Sequence, residues 1–217
     1  MSPELWSALA LGLWQTVWMV GLSTLIGLIL GLPIGILLFS SRPHSLHPNG
    51  AIYRLTAFIV NMVRSIPFII LLIVLVPVTR FLIGTSIGTL AAVVPLSIGS
   101  APFIARIIDN ALQEVPFGLI EAGLAMGMNR WQIIYHVLLP ESRVTILNGL
   151  TLTVITLVGY SAMAGAVGGG GLGDLAIQYG YNMFNTTLMC ITVIVLIGLV
   201  QLIQWVGDRI VKGCARS

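Results

Sequence analysis

From Leu5 to Ser41 the chain carries no Asp, Glu, Lys or Arg. That run exceeds the roughly 20 apolar residues needed to cross a bilayer. Later stretches are nearly as poor in charge, and over 217 residues only 8% are charged while 57% are hydrophobic. An ordinary soluble domain is about 25% charged, so this chain has too little polar surface to be wetted all round. The solvent it is built for is lipid, which predicts an all-α membrane protein. The formal net charge of +3 comes from basic residues scattered singly, without the cluster that nucleic acid requires, and that partner is excluded.

Charges mark where the apolar segments end, because Arg or Lys at mid-bilayer costs about 2.5–3.5 kcal/mol. The pattern predicts about five transmembrane helices in a single domain over 1–217, at about 14–39, 55–78, 86–110, 144–167 and 186–206. A stretch with Trp6 precedes the first span and suits the membrane interface. Before that span the only charge is Glu4, so no basic leader is visible and the first span is expected to stay in the mature protein. Gly27, Gly31 and Gly35 put small residues on one helical face, a spacing that lets helices approach closely.

Arg and Lys also set the orientation. Arg42 and Arg54, then Arg106, Arg130 and Arg143, then Arg209, Lys212 and Arg216 fall to one side, against Arg80 alone on the other. The rich side is cytoplasmic, which puts the N-terminus outside and the C-terminus inside.

Between Arg106 and Arg143 the composition turns polar, with Asp109, Glu114, Glu121, Asn129, Gln132, His136 and Glu141 close together. The segment at about 114–140 is too long for a helix–helix turn and is expected to be a structured cytoplasmic element. Pro116 suits a helix start. Gly127 with Asn129 supplies a break where a left-handed residue is cheap, and two short helices at an angle follow. In the second, Trp131, Ile134, Tyr135 and Leu138 recur at helical spacing and predict one apolar face needing cover. Pro140 ends it or bends it into the fourth span. Such a pair fits a groove on another protein or the headgroup layer equally well.

The stretch from Glu121 to Pro140 reads E-A-G, three residues, Gly127, nine residues, V-L-L-P, and resembles the cytoplasmic EAA motif of ABC importer permeases. Gly123 and Val137 depart from that pattern, conserving size and apolarity. The sequences R-S-I-P-F at 64–68, A-P-F-I-A-R at 101–106 and L-V-G-Y-S-A-M-A-G-A-V-G-G-G-G-L-G at 157–173 are similar to those of methionine-import permeases, almost end to end. The resemblance implies a permease fold of the bacterial inner membrane whose cytoplasmic pair is a coupling helix, docked through Glu121, Ala122, Gly127, Leu139 and Pro140 into an ATP-binding subunit. It further implies a homodimer with two ATP-binding subunits inside and a methionine-binding lipoprotein or periplasmic protein outside. Selectivity between methionine stereoisomers would then reside largely in that binding protein.

The chain itself offers ATP no site. Gly168 to Gly171 lacks the lysine of a phosphate-binding loop, the only lysine being Lys212, so no cofactor is expected here. These glycines instead suggest a close-packed outer gate or a docking surface. Arg64 is the ionisable residue placed deepest, where charge marks function, and it either snorkels to the inner interface or faces the pathway. Arg64 and its neighbour Ser65, together with Tyr160, Ser161 and Met163 of the fourth span, are the candidate pathway or gate residues. Pro67, Pro77, Pro95 and Pro102 free backbone carbonyls at depth, a frequent feature of cavity walls. Cys190 and Cys214 show no disulfide or metal spacing, and His44, His47 and His136 lack metal partners in sequence. The alternative class, an ion-coupled carrier or channel for a small amino acid, would need an intramembrane acidic or histidine relay, and the sequence shows none.

Overall fold

The computed structural model describes residues 3–43 and 45–215, so that His44 and Arg216 lie outside the described residues. The chain is helical, with no strand among the described residues. Helix α1 (Pro3–Ser40) is continuous, and the Trp6 stretch is its first turns rather than a separate interfacial piece. Next come α2 (Gly50–Ser65), α3 (Phe68–Val74), α4 (Val76–Ile83) and α5 (Thr89–Gln113). The polar segment holds α6 (Phe117–Ala125), α7 (Arg130–Ile133), a π turn at Ile134–Leu138 and α8 (Leu139–Glu141). Then follow α9 (Arg143–Gly165), α10 (Gly171–Leu175), a second π turn at Ala176–Asn182 and α11 (Thr186–Ala215).

Among the described residues four helices are long and apolar enough to cross a membrane, and α2 with α3 makes a fifth span if the pair is counted as one. The expected span at 55–78 is therefore not a straight helix: its axis turns by 103° between α2 and α3. Pro67 causes the break, since it cannot donate to the helical ladder and pushes Ile66 to extended geometry, φ −80° and ψ 125°. Pro77 lies in the first turn of α4, where its missing N–H costs nothing. Pro95 and Pro102 lie inside α5, both buried.

Helix α5 is the axis of the bundle, with 72% of its apolar window buried against 11% for α11, the most exposed of the long helices. Cys190 is exposed on α11. The glycine series works as expected of it. A Cβ at Gly31 would stand 2.7 Å from the Ala101 carbonyl oxygen, and one at Gly35 would stand 2.7 Å from that of Ala105, so α1 lies directly on the backbone of α5. One core cluster sits between these helices and α9 around Met19, Leu96 and Leu157. A second joins the C-terminal end of α5 to the polar segment through Ile104, Ile108, Ile120, Ile133 and Leu138.

Candidate functional site

Two features are the candidates for a functional site: the bent helix pair after α5 and a cavity between α2, α5 and α9.

The helix pair is shaped by local capping. Helix α6 begins after Pro116 and closes in a Schellman motif: the Met128 N–H donates to the Gly123 carbonyl at 3.1 Å and the Gly127 N–H to that of Leu124 at 3.0 Å. Gly127 takes the left-handed conformation this requires, φ +79°. Two residues later Asn129 caps α7. Its Oδ1 accepts from the Gln132 N–H at 2.8 Å while the Asn129 N–H donates to Gln132 Oε1 at 2.7 Å, a reciprocal capping box. The elbow is thus fixed by its own sequence. Its root is tied to the next span by Thr145 Oγ1, which donates to Glu114 Oε2 at 2.8 Å.

Only part of the expected apolar face is covered. Ile134 and Leu138 are buried, but Trp131 and Tyr135 are 65% and 64% exposed, and Ile133 is buried in their place. The reason is the π turn, where Leu139 N–H reaches back five residues to the Ile134 carbonyl and shifts the buried stripe round the helix. Pro140 sets it up, because its ring excludes an ordinary bond to the His136 carbonyl. Glu121 and Ala122 are exposed on α6, Pro140 is exposed at the start of α8, and Leu139 is half-buried. Glu121, Ala122 and Gly127 therefore share one accessible elbow with Trp131 and Tyr135, while Leu139 packs inward against the second core cluster.

The cavity encloses about 300 Å³ and is lined by Arg64, Phe103, Arg106, Asn110, Thr156 and Tyr160, among others. The Arg64 guanidinium stands 5.0 Å over the Phe103 ring, a cation–π contact rather than an ion pair. Arg106 is held otherwise. Its Nη1 donates to Asp109 Oδ2 at 3.0 Å and its Nη2 to Asn61 Oδ1 at 2.8 Å. Asp109 is fully buried and also receives Arg42, with Nε on Oδ1 at 3.1 Å and Nη2 on Oδ2 at 2.7 Å. Burial pulls the Arg42 pKa down, but the hydrogen bond and charge of Asp109 outweigh it and hold the guanidinium above its ordinary value.

The comparisons with known proteins fit this geometry. Residues 31–215 match the family described as binding-protein-dependent transport system inner membrane component. The chain belongs to this family. A probable D-methionine transport system permease protein MetI of Vibrio cholerae is 51% identical over 199 residues, covering 92% of this chain and 88% of that protein. The D-methionine transport system permease protein MetI of Escherichia coli K12 is 52% identical over 163 residues, 75% of each chain. Among solved structures, a chain of the MetNI methionine ABC transporter in inward-facing conformations superposes with a TM-score of 0.97 at 51% identity over 99% of both chains. An amino acid ABC transporter solved with histidines shares the fold, with a TM-score of 0.79 at 21% identity over 96% of this chain and 95% of that one.

As an inner membrane component of a transport system, the chain is a transport protein rather than an enzyme. Of the candidate pathway residues, Arg64 and Tyr160 meet in the cavity. Ser65, Ser161 and Met163 do not line it. Ser65 donates to the Asn61 carbonyl at 2.8 Å on an exposed face of α2, Ser161 is buried and donates to the Val158 carbonyl at 2.8 Å, and Met163 is exposed. Phe103, Arg106, Asn110 and Thr156 were not singled out from sequence, although Phe103 and Arg106 lie in the A-P-F-I-A-R motif. The glycine loop packs against α1: the Gly171 N–H donates to Gln15 Oε1 and the Leu172 N–H to Thr16 Oγ1, both at 2.9 Å.

Proposed function

We propose that this chain is the pore-forming permease of an ATP-driven methionine importer. The observation that carries the reading is the near-complete likeness to the MetNI chain, with a TM-score of 0.97 at 51% identity over 99% of both chains. In this reading two copies form the pathway, an ATP-binding subunit seats each elbow from the cytoplasm, and a methionine-binding protein delivers substrate from outside. The N-terminus lies outside and the C-terminus inside, as the distribution of Arg and Lys favours. ATP is bound and hydrolysed by the partner subunits alone.

The elbow is suited to this task. Its two caps make it rigid, its root is short, and Glu121, Ala122, Trp131 and Tyr135 stand exposed on it, with aromatic side chains of the kind enriched at interfaces. When ATP draws the two motor subunits together, each elbow is carried with its partner. The motion reaches the bundle through α5 and α9, which leave the segment at either end and are joined at Glu114 and Thr145. The cavity between α2, α5 and α9 then changes its exposure from the cytoplasm to the outside. Arg64 receives the carboxylate of the passing amino acid, for Phe103 holds its guanidinium in place without neutralising it.

Reconstitution tests the proposal: the chain, an ATP-binding subunit and a methionine-binding protein in proteoliposomes should accumulate labelled methionine only with ATP. Uptake driven by an ion gradient in vesicles without the ATP-binding subunit would overturn it.

A further inference from the structure

We propose that Asp109 is a positioning residue for transport, a latch that makes the cavity, the loop after α1 and the root of the elbow move as one body. The inference rests on the importer reading above and adds to it a residue with no part in docking or in the pathway itself.

Asp109 is fully buried near the inner end of α5, and its two carboxylate oxygens collect three hydrogen bonds from two arginines. Both arginines reach on to α2, one from the loop after α1 and the other from α5 itself. Arg42 lies in the loop after α1 and stands 5.2 Å over the Tyr53 ring of α2. Arg106 lines the cavity and spans to Asn61 of α2 at 2.8 Å. The Asp109 carbonyl accepts from Gln113 Nε2 at 2.9 Å, and Gln113 is the last residue of α5 before the elbow. Through its two arginines the carboxylate thus ties α5 to α2 and to the loop after α1, while the Asp109 backbone carbonyl reaches the end of α5.

The charge count gives the arrangement its force. Two guanidinium groups share one carboxylate, so neither can leave without altering what the other is paired with. A buried pair broken on one side leaves an uncompensated charge. Displacement at the elbow is therefore passed to Arg106 at the cavity wall rather than absorbed in a soft joint. An asparagine would keep the shape of the site while turning an N–H₂ group, itself a donor, toward a guanidinium.

The test uses the reconstituted transporter with its ATP-binding and methionine-binding subunits, and reads methionine taken up per ATP hydrolysed. In Asp109→Asn the ratio should fall about tenfold, within the usual range of coupling between sites, with the complex assembled at wild-type yield. A purely structural role would lower uptake, hydrolysis and yield together and leave the ratio unchanged, which would overturn the proposal. Arg42→Met provides a second variant, partly exposed and outside the cavity, so it alters no substrate contact. Its ratio should fall by a smaller factor, and if Asp109→Asn fails to assemble, an unchanged ratio in Arg42→Met overturns the latch by itself. Absence of ATP-driven uptake in the wild-type complex would instead overturn the importer reading, and the latch with it.

Discussion

The ring of Tyr160 on α9 lies flat against that of Phe68 on α3, with centroids 4.4 Å apart and planes within 2°. This stack fastens the segment beyond the Pro67 bend to α9, and the same Tyr160 lines the cavity. In lipid such a contact is worth its packing rather than its hydrophobic transfer, since acyl chains are as apolar as the side chains themselves. The aromatic pairing contributes about 0.5–1.5 kcal/mol. Tyr160→Phe should leave the melting midpoint of the detergent-solubilised protein unchanged, whereas Tyr160→Ala should lower it by about 2–4 °C per kcal/mol lost. Equal midpoints for the two variants would show that the stack does not fasten α3.

The elbow depends on Gly127. Its φ of +79° costs a residue with a Cβ about 1–2 kcal/mol, so Gly127→Ala should bind the ATP-binding subunit somewhat more weakly. Gly127→Pro cannot take this φ and loses the N–H bonded to Leu124, a penalty of about 3 kcal/mol or more. It should insert normally and fail to copurify with the ATP-binding subunit. Glu121→Lys, an exposed change, should also weaken copurification without altering the melting midpoint.

At Gly123 the opposite outcome is expected. An added Cβ would meet Ile133 Cγ1 and Met128 Sδ at 3.4 Å, ordinary contact distance, and alanine is better than glycine in a helix by about 1 kcal/mol. Gly123→Ala should keep full uptake and raise the melting midpoint slightly. A fall in midpoint would mean that the packing of α6 on α7 is tighter than these distances.

The cavity prediction turns on charge. Arg64→Lys keeps the cation but loses the planar fork, and Arg64→Met loses both. If Arg64 receives a carboxylate, a charge-assisted bond of about 1.5–3 kcal/mol disappears in Arg64→Met. Uptake should then fall tenfold or more while copurification of the ATP-binding subunit is unaffected. Arg64→Lys should lie between. Wild-type uptake in Arg64→Met would remove this residue from the pathway.

What could be read from sequence divides along the range of the interactions. The elbow was legible because its chemistry is local: Pro116, Gly127, Asn129 and Gln132 act within a few residues of each other, and so do the Schellman bonds and the capping box. The close face of Gly31 and Gly35 was legible for the same reason. Pro67 marked a break in the helical ladder but not the 103° turn of the axis, because a proline in an apolar run reads alike whether the helix kinks slightly or turns aside. The exposure of Trp131 and Tyr135 was missed because periodicity assumes an unbroken α-helix, and the π turn before Pro140 changes the register. Asp109 was counted as one more polar residue near a helix end. Its partner Arg42 lies 67 positions away, and nothing in the local sequence joins them.

The contact between α1 and α5 limits how any transporter of this build can move. Sliding by a single residue at Gly31 or Gly35 would drive a Cβ into a carbonyl oxygen, so the two helices form a stator, unable to shear against each other. A pump with such a fixed half must do its work by displacing the remainder around it. Labels that report distance between α1 and α5 should therefore read the same value at every stage of the cycle, and those placed from α5 to α9 or α11 should not.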